Sequence, residues 1–197
     1  SPKVFVMTKE MFQIYEKNVS NKCVEYWPHP KYSFPEFRKK ENSQIRISLM
    51  GRQAVLFIET VGISFLKEFE NLLFTFFSDK IKASSKMNNV RIISLRLDDN
   101  RFIEEISKAN FMMFSPDKGN KYRASGLLMD AISVNTGIIC PKEGHFLDYE
   151  KFNICNYYKD IDQLKNILSK LNNRIEYYCA DFNDAHHFAN SMVPRLK

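Results

Sequence analysis

The pattern of apolar and polar positions divides the chain into two blocks. In the first block, short apolar runs at residues 4–7 and 24–27 flank a stretch whose apolar residues recur at helical spacing after Thr8. This order predicts a strand, a helix and a strand, and the Pro-His-Pro sequence at 28–30 ends the second strand. The segment at 31–43 is rich in proline, aromatic and charged residues, which is typical of a linker.

The second block alternates predicted strands with predicted helices. Apolar and polar residues alternate at 45–49, which predicts a strand. Further strands are predicted at 90–95, 111–114, 137–140 and near 152–157. Helices are predicted at 64–82, after the acidic pair Asp98-Asp99, from Ser125-Gly126, after Asp160, and within 176–195. This alternation predicts an α/β fold with a Rossmann-like, doubly wound parallel sheet and helices on both faces.

The segment 110–141 is the most informative part of the chain. A predicted strand ends at Ser115-Pro116, a cationic loop follows, and Ser125-Gly126 begins an apolar helix. A small residue and a glycine at a helix start leave backbone N–H groups that, together with the helix dipole, suit an anion such as phosphate. The layout predicts a nucleotide-binding crevice at the carboxyl edge of a parallel sheet.

Two further features of this segment favour a nucleotide ligand. Asp130 stands among apolar neighbours one turn into the helix, and an acid in a buried helix needs a partner such as a sugar hydroxyl. In the loop, Tyr122 is suited to stacking on a base and Arg123 to meeting a phosphate. The alternative for this loop is ordinary exposure to solvent.

These residues resemble the C-terminal, donor-binding domain of retaining glycosyltransferases of the GT-B fold (the glycosyl transferases group 1 type). The counterparts of that family's motifs are Phe-Ser-Pro at 114–116, Ser-Gly-Leu-Leu-Met-Asp-Ala at 125–131 and Thr-Gly-Ile-Ile-Cys-Pro at 136–141. The resemblance implies an enzyme that transfers a sugar, with retention, from a nucleotide-diphosphate sugar to a glycan or lipid-linked acceptor. It implies no cofactor besides this donor substrate.

The resemblance also implies roles for individual residues. The donor-binding candidates are Ser115, Pro116, Tyr122, Arg123, Ser125, Gly126, Leu127 and Asp130. The helix start would contact the donor diphosphate, and Asp130, where the family usually has glutamate, would bind the ribose. The catalytic candidates are two cations, Arg52 and Lys67. Arg52 follows Gly51 after a strand, as in the family, whereas Lys67 comes late and lacks the family's following glycine.

The first block resembles the last strand, helix and strand of a GT-B N-terminal domain, followed by a linker. We therefore expect residues 1–43 to be the end of a truncated N-terminal domain plus linker, and residues 44–197 to be a Rossmann-like nucleotide-sugar-binding domain. The rest of the N-terminal domain would be supplied in cis or in trans. This chain alone is expected to bind the donor weakly and to catalyse little or nothing.

Composition narrows the partners and the compartment. The net charge of +6 is spread along the chain. The aromatic residues lie in apolar runs rather than among the cations, so no nucleic-acid partner is expected. The charge would suit peripheral contact with an anionic membrane. Four scattered cysteines fit reduced thiols in a cytoplasmic protein, and the histidines show no zinc-ligand spacing, so no metal is expected.

Two alternative interpretations remain open. A nucleotide-sugar epimerase would share the architecture but needs acid–base residues in the cleft, of which the sequence offers few. Three departures from the family pattern leave room for a non-catalytic, Rossmann-like nucleotide-binding or protein-interaction module. They are the late Lys67, Asp130 in place of glutamate, and Asn135 where the family usually has glycine. The G-x-G-x-x-G motif of dehydrogenases is absent.

Overall fold

The computed structural model describes residues 4–6, 9–18, 24–26, 44–81, 86–94, 97–120, 125–134, 136–152 and 155–172. The predicted linker at 31–43 and the predicted closing helices at 176–195 lie outside these residues.

The first block forms a small parallel unit, as its pattern predicts. It consists of β1 (Val4–Val6), α1 (Lys9–Asn18) and β2 (Val24–Tyr26), and the two strands pair in parallel with Val4 opposite Val24. The backbone N–H of Lys9, at the start of α1, donates a hydrogen bond of 3.0 Å to the Oδ2 of Asp148. The first block therefore contacts the second through the beginning of α1.

The second block is built on a six-stranded parallel sheet. Its strands are β3 (Ile45–Met50), β4 (Leu72–Phe77), β5 (Val90–Ile93), β6 (Phe111–Met113), β7 (Gly137–Pro141) and β8 (Cys155–Tyr158). Its α-helices are α2 (Arg52–Thr60), α3 (Asp99–Ser107), α4 (Gly126–Ser133) and α5 (Ile161–Asn172). The strand order is β5-β4-β3-β6-β7-β8, so the chain leaves β3 in one direction and later returns beside it as β6. This is the doubly wound Rossmann-like order.

Two hydrophobic layers cover the two faces of this sheet. On one face, alternate residues of β3 such as Ile47 pack with Phe57 of α2 and Leu168 of α5. On the other face, Met50 and Ile138 belong to a layer with apolar residues of α3 and α4. The predicted α/β fold with helices on both faces is thus confirmed.

The helix predicted at 64–82 is wrong. The structure has a short 3-10 helix at Ile63–Glu68 and then β4, while the helix of this region is α2, earlier in the chain. β4 is buried along nearly its whole length, so its sequence Leu-Leu-Phe-Thr-Phe-Phe is apolar almost throughout. A strand covered on both faces loses its two-residue alternation, and an apolar run of this kind cannot be told from a helix by periodicity.

Two hydroxyl groups are buried side by side beneath the α3 face of the sheet. Ser48 of β3 pairs with Thr75 of β4, and both side chains are almost fully buried. Within the described ranges, neither Ser48 Oγ nor Thr75 Oγ1 has a hydrogen-bond partner. A buried hydroxyl without a partner costs free energy, which valine of the same shape would recover.

Replacing Thr75 with valine is therefore expected to raise the free energy of unfolding by about 1 kcal/mol. The matched control is Thr136→Val, because Thr136 is equally buried but its Oγ1 donates a hydrogen bond of 2.9 Å to the Ile106 carbonyl. The control should lower the free energy of unfolding by about 1 kcal/mol. Urea unfolding measures both, and destabilisation by Thr75→Val would contradict the assignment.

A charged cluster of Arg46, Glu105 and Lys108 lies on the same face of the sheet, near the amino ends of the strands. The Glu105 carboxylate accepts hydrogen bonds from Arg46 Nη2 and from Lys108 Nζ, the latter at 2.9 Å. Burial raises the pKa of Glu105, but the hydrogen bonds from Lys108 and Arg46 lower it by more, so the pKa lies below its ordinary value. Because the pKa is lowered, the ionised carboxylate of Glu105 is more stable in the folded state than in the unfolded state.

The ionised Glu105 should make the stability of the protein depend on pH in the acid range. The stabilisation by Glu105 is present above the pKa of the unfolded chain, about 4.3, and is lost as the pH falls through the lower pKa of the folded state. Glu105→Gln should therefore reduce the free energy of unfolding at neutral pH and should reduce it by less near pH 3. Urea unfolding at both pH values checks this, with the more exposed Glu104→Gln as control. An equal loss at both pH values would contradict the prediction.

Candidate functional site

The candidate site lies where the strand order reverses, at the carboxyl ends of β3 and β6. These two strands are neighbours in the sheet, with Ile47 opposite Phe111 and Ser48 opposite Met112. The helices that follow them, α2 and α4, pack on opposite faces. In doubly wound sheets this divergence forms a crevice above the strand ends. In open parallel sheets, ligands bind in this position.

A tight turn brings Arg52 to the crevice. Gly51 has a φ of 55°, a conformation that favours glycine, and its backbone N–H donates a hydrogen bond of 2.7 Å to the Phe77 carbonyl of β4. The helix α2 consequently begins at Arg52, directly after β3. The Gly-Arg pair noted in the sequence thus lies at the carboxyl edge of the sheet.

Arg52 forms a two-point ion pair across the crevice with Asp117, which follows β6. Its Nε lies 2.7 Å from Asp117 Oδ2 and its Nη2 lies 3.0 Å from Asp117 Oδ1. The Arg52 side chain is 62% exposed, whereas that of Asp117 is 11% exposed. The hydrogen bond to Asp117 and then its negative charge raise the pKa of Arg52 above its ordinary value, so the guanidinium stays charged.

Ser115 and Gln53 form a second link across the crevice. The backbone N–H of Ser115 donates a hydrogen bond of 2.7 Å to Gln53 Oε1, and Ser115 Oγ donates a longer one, of 3.4 Å, to the Gln53 carbonyl. Ser115 is buried, whereas the neighbouring Pro116 is exposed. The structure therefore gives Ser115 a part in joining the two strand ends, and it leaves Pro116 open to a ligand.

The start of α4 has the features that the sequence predicts for an anion site. Ser125 is the N-cap, and its Oγ accepts a hydrogen bond of 3.3 Å from the backbone N–H of Leu128. Gly126 is exposed, and a Cβ atom added there would have no heavy atom of the other described residues within 4 Å. No acidic residue lies in the first turn. The described residues leave the space above the first turn open, and the positive end of the helix dipole faces it.

The remaining donor-binding candidates are distributed around this helix. Leu127 and Asp130 are half-buried, with Asp130 one turn into α4. Its neighbours Met129 and Ala131 are buried, as the sequence predicts. Tyr122 and Arg123 lie outside the described residues, so their roles stay predictions.

Lys67 lies near the amino ends of the strands, opposite the carboxyl ends where the candidate site is. It belongs to the 3-10 helix Ile63–Glu68, which precedes β4. The first residue of β4, Leu72, pairs with Ile45, the first residue of β3, so the chain has returned to the amino ends of the strands. The six residues of β3 span about 20 Å. The structure therefore does not bring Lys67 together with Arg52.

Sequence reasoning missed two residues of this site. Neither Gln53 nor Asp117 belongs to a motif, and each meets a partner more than 60 positions away, at separations of 62 and 65 residues. Asp117 does follow the Ser-Pro pair in a loop, and a polar residue after a strand end was the only signal available for it. Within the described ranges, no group of three or more His, Cys, Asp or Glu side chains could hold a metal ion.

The fold is similar to solved glycosyltransferase structures of the GT-B type. WaaG, a glycosyltransferase involved in lipopolysaccharide biosynthesis, matches with a TM-score of 0.68 and 16% identity over 96% of this chain and 58% of WaaG. HepE of Anabaena, in complex with UDP, matches with a TM-score of 0.69 and 9% identity over 98% of this chain and 60% of HepE. A UDP-forming α,α-trehalose-phosphate synthase from Burkholderia vietnamiensis matches with a TM-score of 0.63 and 8% identity, over 95% of this chain and 55% of the synthase.

These likenesses establish the fold. Their identities are low, and the chain spans no more than about three fifths of each neighbour's length. No protein-family model matches the sequence, and no curated protein is significantly similar to it. Among the helices of the described residues, none is both long and apolar enough to cross a membrane.

Proposed function

We propose that this chain is the donor-binding part of a retaining GT-B glycosyltransferase that uses a nucleotide-diphosphate sugar. The observation that carries the proposal is that a charged, exposed Arg52 and the exposed N-terminus of α4 both follow strands at the carboxyl edge of the sheet. A diphosphate needs both a cation and N–H donors, and the switch point of a doubly wound sheet offers them at adjacent strand ends.

The proposed roles follow from these positions. Arg52 neutralises charge on the diphosphate, and the N-terminus of α4 at Gly126 and Leu127 receives its oxygens. Asp130 accepts hydrogen bonds from the ribose, and exposed Pro116 borders the donor. Both anion-binding groups act on the charge that develops as the diphosphate leaves the sugar. Lys67 has no part in this site, because it lies at the far edge of the sheet.

The rest of the enzyme is proposed from the resemblance and from the neighbours' lengths. Residues 1–43 would be the end of the N-terminal domain plus linker, and residues 44–197 the donor domain, C-terminal in the enzyme. A glycan or lipid-linked acceptor would bind on the other domain, facing the crevice. The positive charge of the chain would support contact with an anionic membrane that carries such an acceptor.

The proposal is tested by calorimetric titration of the chain with UDP, GDP and ADP, each compared with its nucleoside monophosphate. We expect saturable binding of one diphosphate, with UDP the first candidate because HepE was solved with UDP. The matching monophosphate should bind more weakly, because it lacks a phosphate for Arg52. Absence of binding by all three diphosphates would contradict the proposal and favour a protein-interaction module.

A sugar-transfer assay separates the proposal from the epimerase alternative. The full-length protein, incubated with the sugar form of the nucleotide that binds, should release the nucleoside diphosphate only when an acceptor is present. An epimerase would change the sugar without releasing the diphosphate. Appearance of an epimerised nucleotide sugar would therefore contradict glycosyl transfer.

A further inference from the structure

Asp117 carries a largely buried carboxylate beside the proposed diphosphate site, and the roles proposed above do not use it. It follows β6, whereas its partner Arg52 follows β3, so the ion pair spans the point where the strand order reverses. A carboxylate close to an anion-binding site repels the anion and weakens its binding. The presence of Asp117 therefore calls for a compensating role.

We propose that Asp117 is a positioning residue, which holds the Arg52 guanidinium over the crevice with its outer edge turned toward the donor diphosphate. This inference rests on the proposed function, since it concerns the same site. Asp117 does not touch the donor in this account. Its effect on the donor is transmitted by Arg52.

The geometry of the pair leaves Arg52 able to bind a second anion. Asp117 accepts hydrogen bonds from Nε and Nη2, on one side of the planar guanidinium. A guanidinium carries more N–H donors than one carboxylate engages, so the donors on the outer edge are left for a ligand. The fixed fork of these donors matches the spacing of phosphate oxygens.

The carboxylate is itself anchored by its own loop. The backbone N–H of Gly119 donates a hydrogen bond of 3.1 Å to Asp117 Oδ1. A Cβ atom at Gly119 would lie 3.5 Å from both Arg52 Nη2 and Asp117 Oδ1, so the loop backbone passes directly beside the ion pair. Asp117 is thus held on the β6 side independently of Arg52, which lets it act as a fixed support.

The difference in exposure argues against Asp117 as a competitor for the diphosphate. Asp117 is 11% exposed and Arg52 is 62% exposed, so the guanidinium presents much more of its surface to solvent than the carboxylate does. An anion that arrives from solvent meets the guanidinium first. An arginine already held in place also loses little side-chain freedom on binding, and that freedom is worth about a 5- to 10-fold change in affinity.

The test is a double-mutant cycle with the nucleoside diphosphate that the chain binds. Asp117→Asn keeps the shape of the side chain and removes its charge. On its own it should weaken binding of the diphosphate about 5- to 10-fold. In the Arg52→Ala background the same substitution should cause no further loss, because the effect of Asp117 on the donor is transmitted by Arg52. Asp98→Asn, at the exposed Asp98–Arg101 pair, is the matched control and should leave binding unchanged.

The outcomes separate this inference from the proposed function. Equal losses from Asp117→Asn with and without Arg52 would show a general structural role and overturn the inference alone. Tighter binding by Asp117→Asn in the otherwise unaltered chain would show competition and overturn it as well. If the unaltered chain binds no nucleoside diphosphate, the proposed function and the inference are both overturned.

Discussion

Replacing Arg52 with alanine is expected to weaken binding of the nucleoside diphosphate about 10- to 100-fold. The guanidinium is charged, exposed and held at the crevice by Asp117. Hydrogen bonds from a charged donor to phosphate contribute about 1.5–3 kcal/mol, which corresponds to this range. Calorimetric titration measures the effect. The affinity of Arg52→Lys should lie between those of the unaltered chain and Arg52→Ala, because lysine keeps the charge but lacks the planar fork of donors.

The control for this substitution is Arg101→Ala. Arg101 also contacts an aspartate, Asp98, and its side chain is 67% exposed, but it lies in the first turn of α3, after the edge strand β5. Its removal changes the net charge by the same amount and should leave binding almost unchanged. An equal loss for both variants would reduce the role of Arg52 to general electrostatic attraction.

Replacing Gly126 with tryptophan is expected to reduce binding of the diphosphate more than about 100-fold while leaving the fold intact. A Cβ atom at Gly126 would meet no heavy atom of the other described residues within 4 Å, so we expect a side chain there to be accommodated. The indole would nevertheless occupy the space above the first turn of α4, where the proposed anion lies. Loss of N–H contacts together with a steric clash exceeds the loss of one charged hydrogen bond.

Two measurements make this prediction specific. The thermal midpoint of Gly126→Trp should stay close to that of the unaltered chain, which would exclude unfolding as the cause. The matched control is Ile161→Trp, at the first residue of α5, where Asp160 caps the helix much as Ser125 caps α4. Ile161 follows the edge strand β8, away from the crevice, so binding should persist. Undiminished binding by Gly126→Trp would exclude the N-terminus of α4 as the anion site.

The parts of the fold that the sequence predicted well carry local signals. The alternation at 45–49 corresponds to β3, in which Ile45, Ile47 and Leu49 face one packed hydrophobic layer. The start of α4 was predictable because its N-cap serine and the following glycine are adjacent in the chain. β4 was mistaken for part of a helix because burial on both faces makes such a strand apolar throughout.

In the candidate site too, the residues with local sequence signals were predictable and those that depend on strand order were not. Arg52 and the start of α4 stand in short motifs next to strand ends, so strand prediction alone indicates where they lie. The Arg52–Asp117 contact joins residues 65 positions apart and exists because β6 lies beside β3. Such a pairing depends on strand order, which no local pattern specifies. Lys67 comes late after Arg52 in the sequence, and α2 carries the chain back to the amino ends of the strands before Lys67 is reached.

The most direct test of the account is a crystal structure of the chain with the nucleoside diphosphate that it binds most tightly. The account predicts the diphosphate at the carboxyl ends of β3 and β6, with one phosphate on the outer edge of the Arg52 guanidinium and its neighbour at the backbone N–H groups of Gly126 and Leu127. The Arg52–Asp117 pair should persist beneath the ligand. A diphosphate bound elsewhere, or one that leaves Arg52 and the start of α4 untouched, would contradict it.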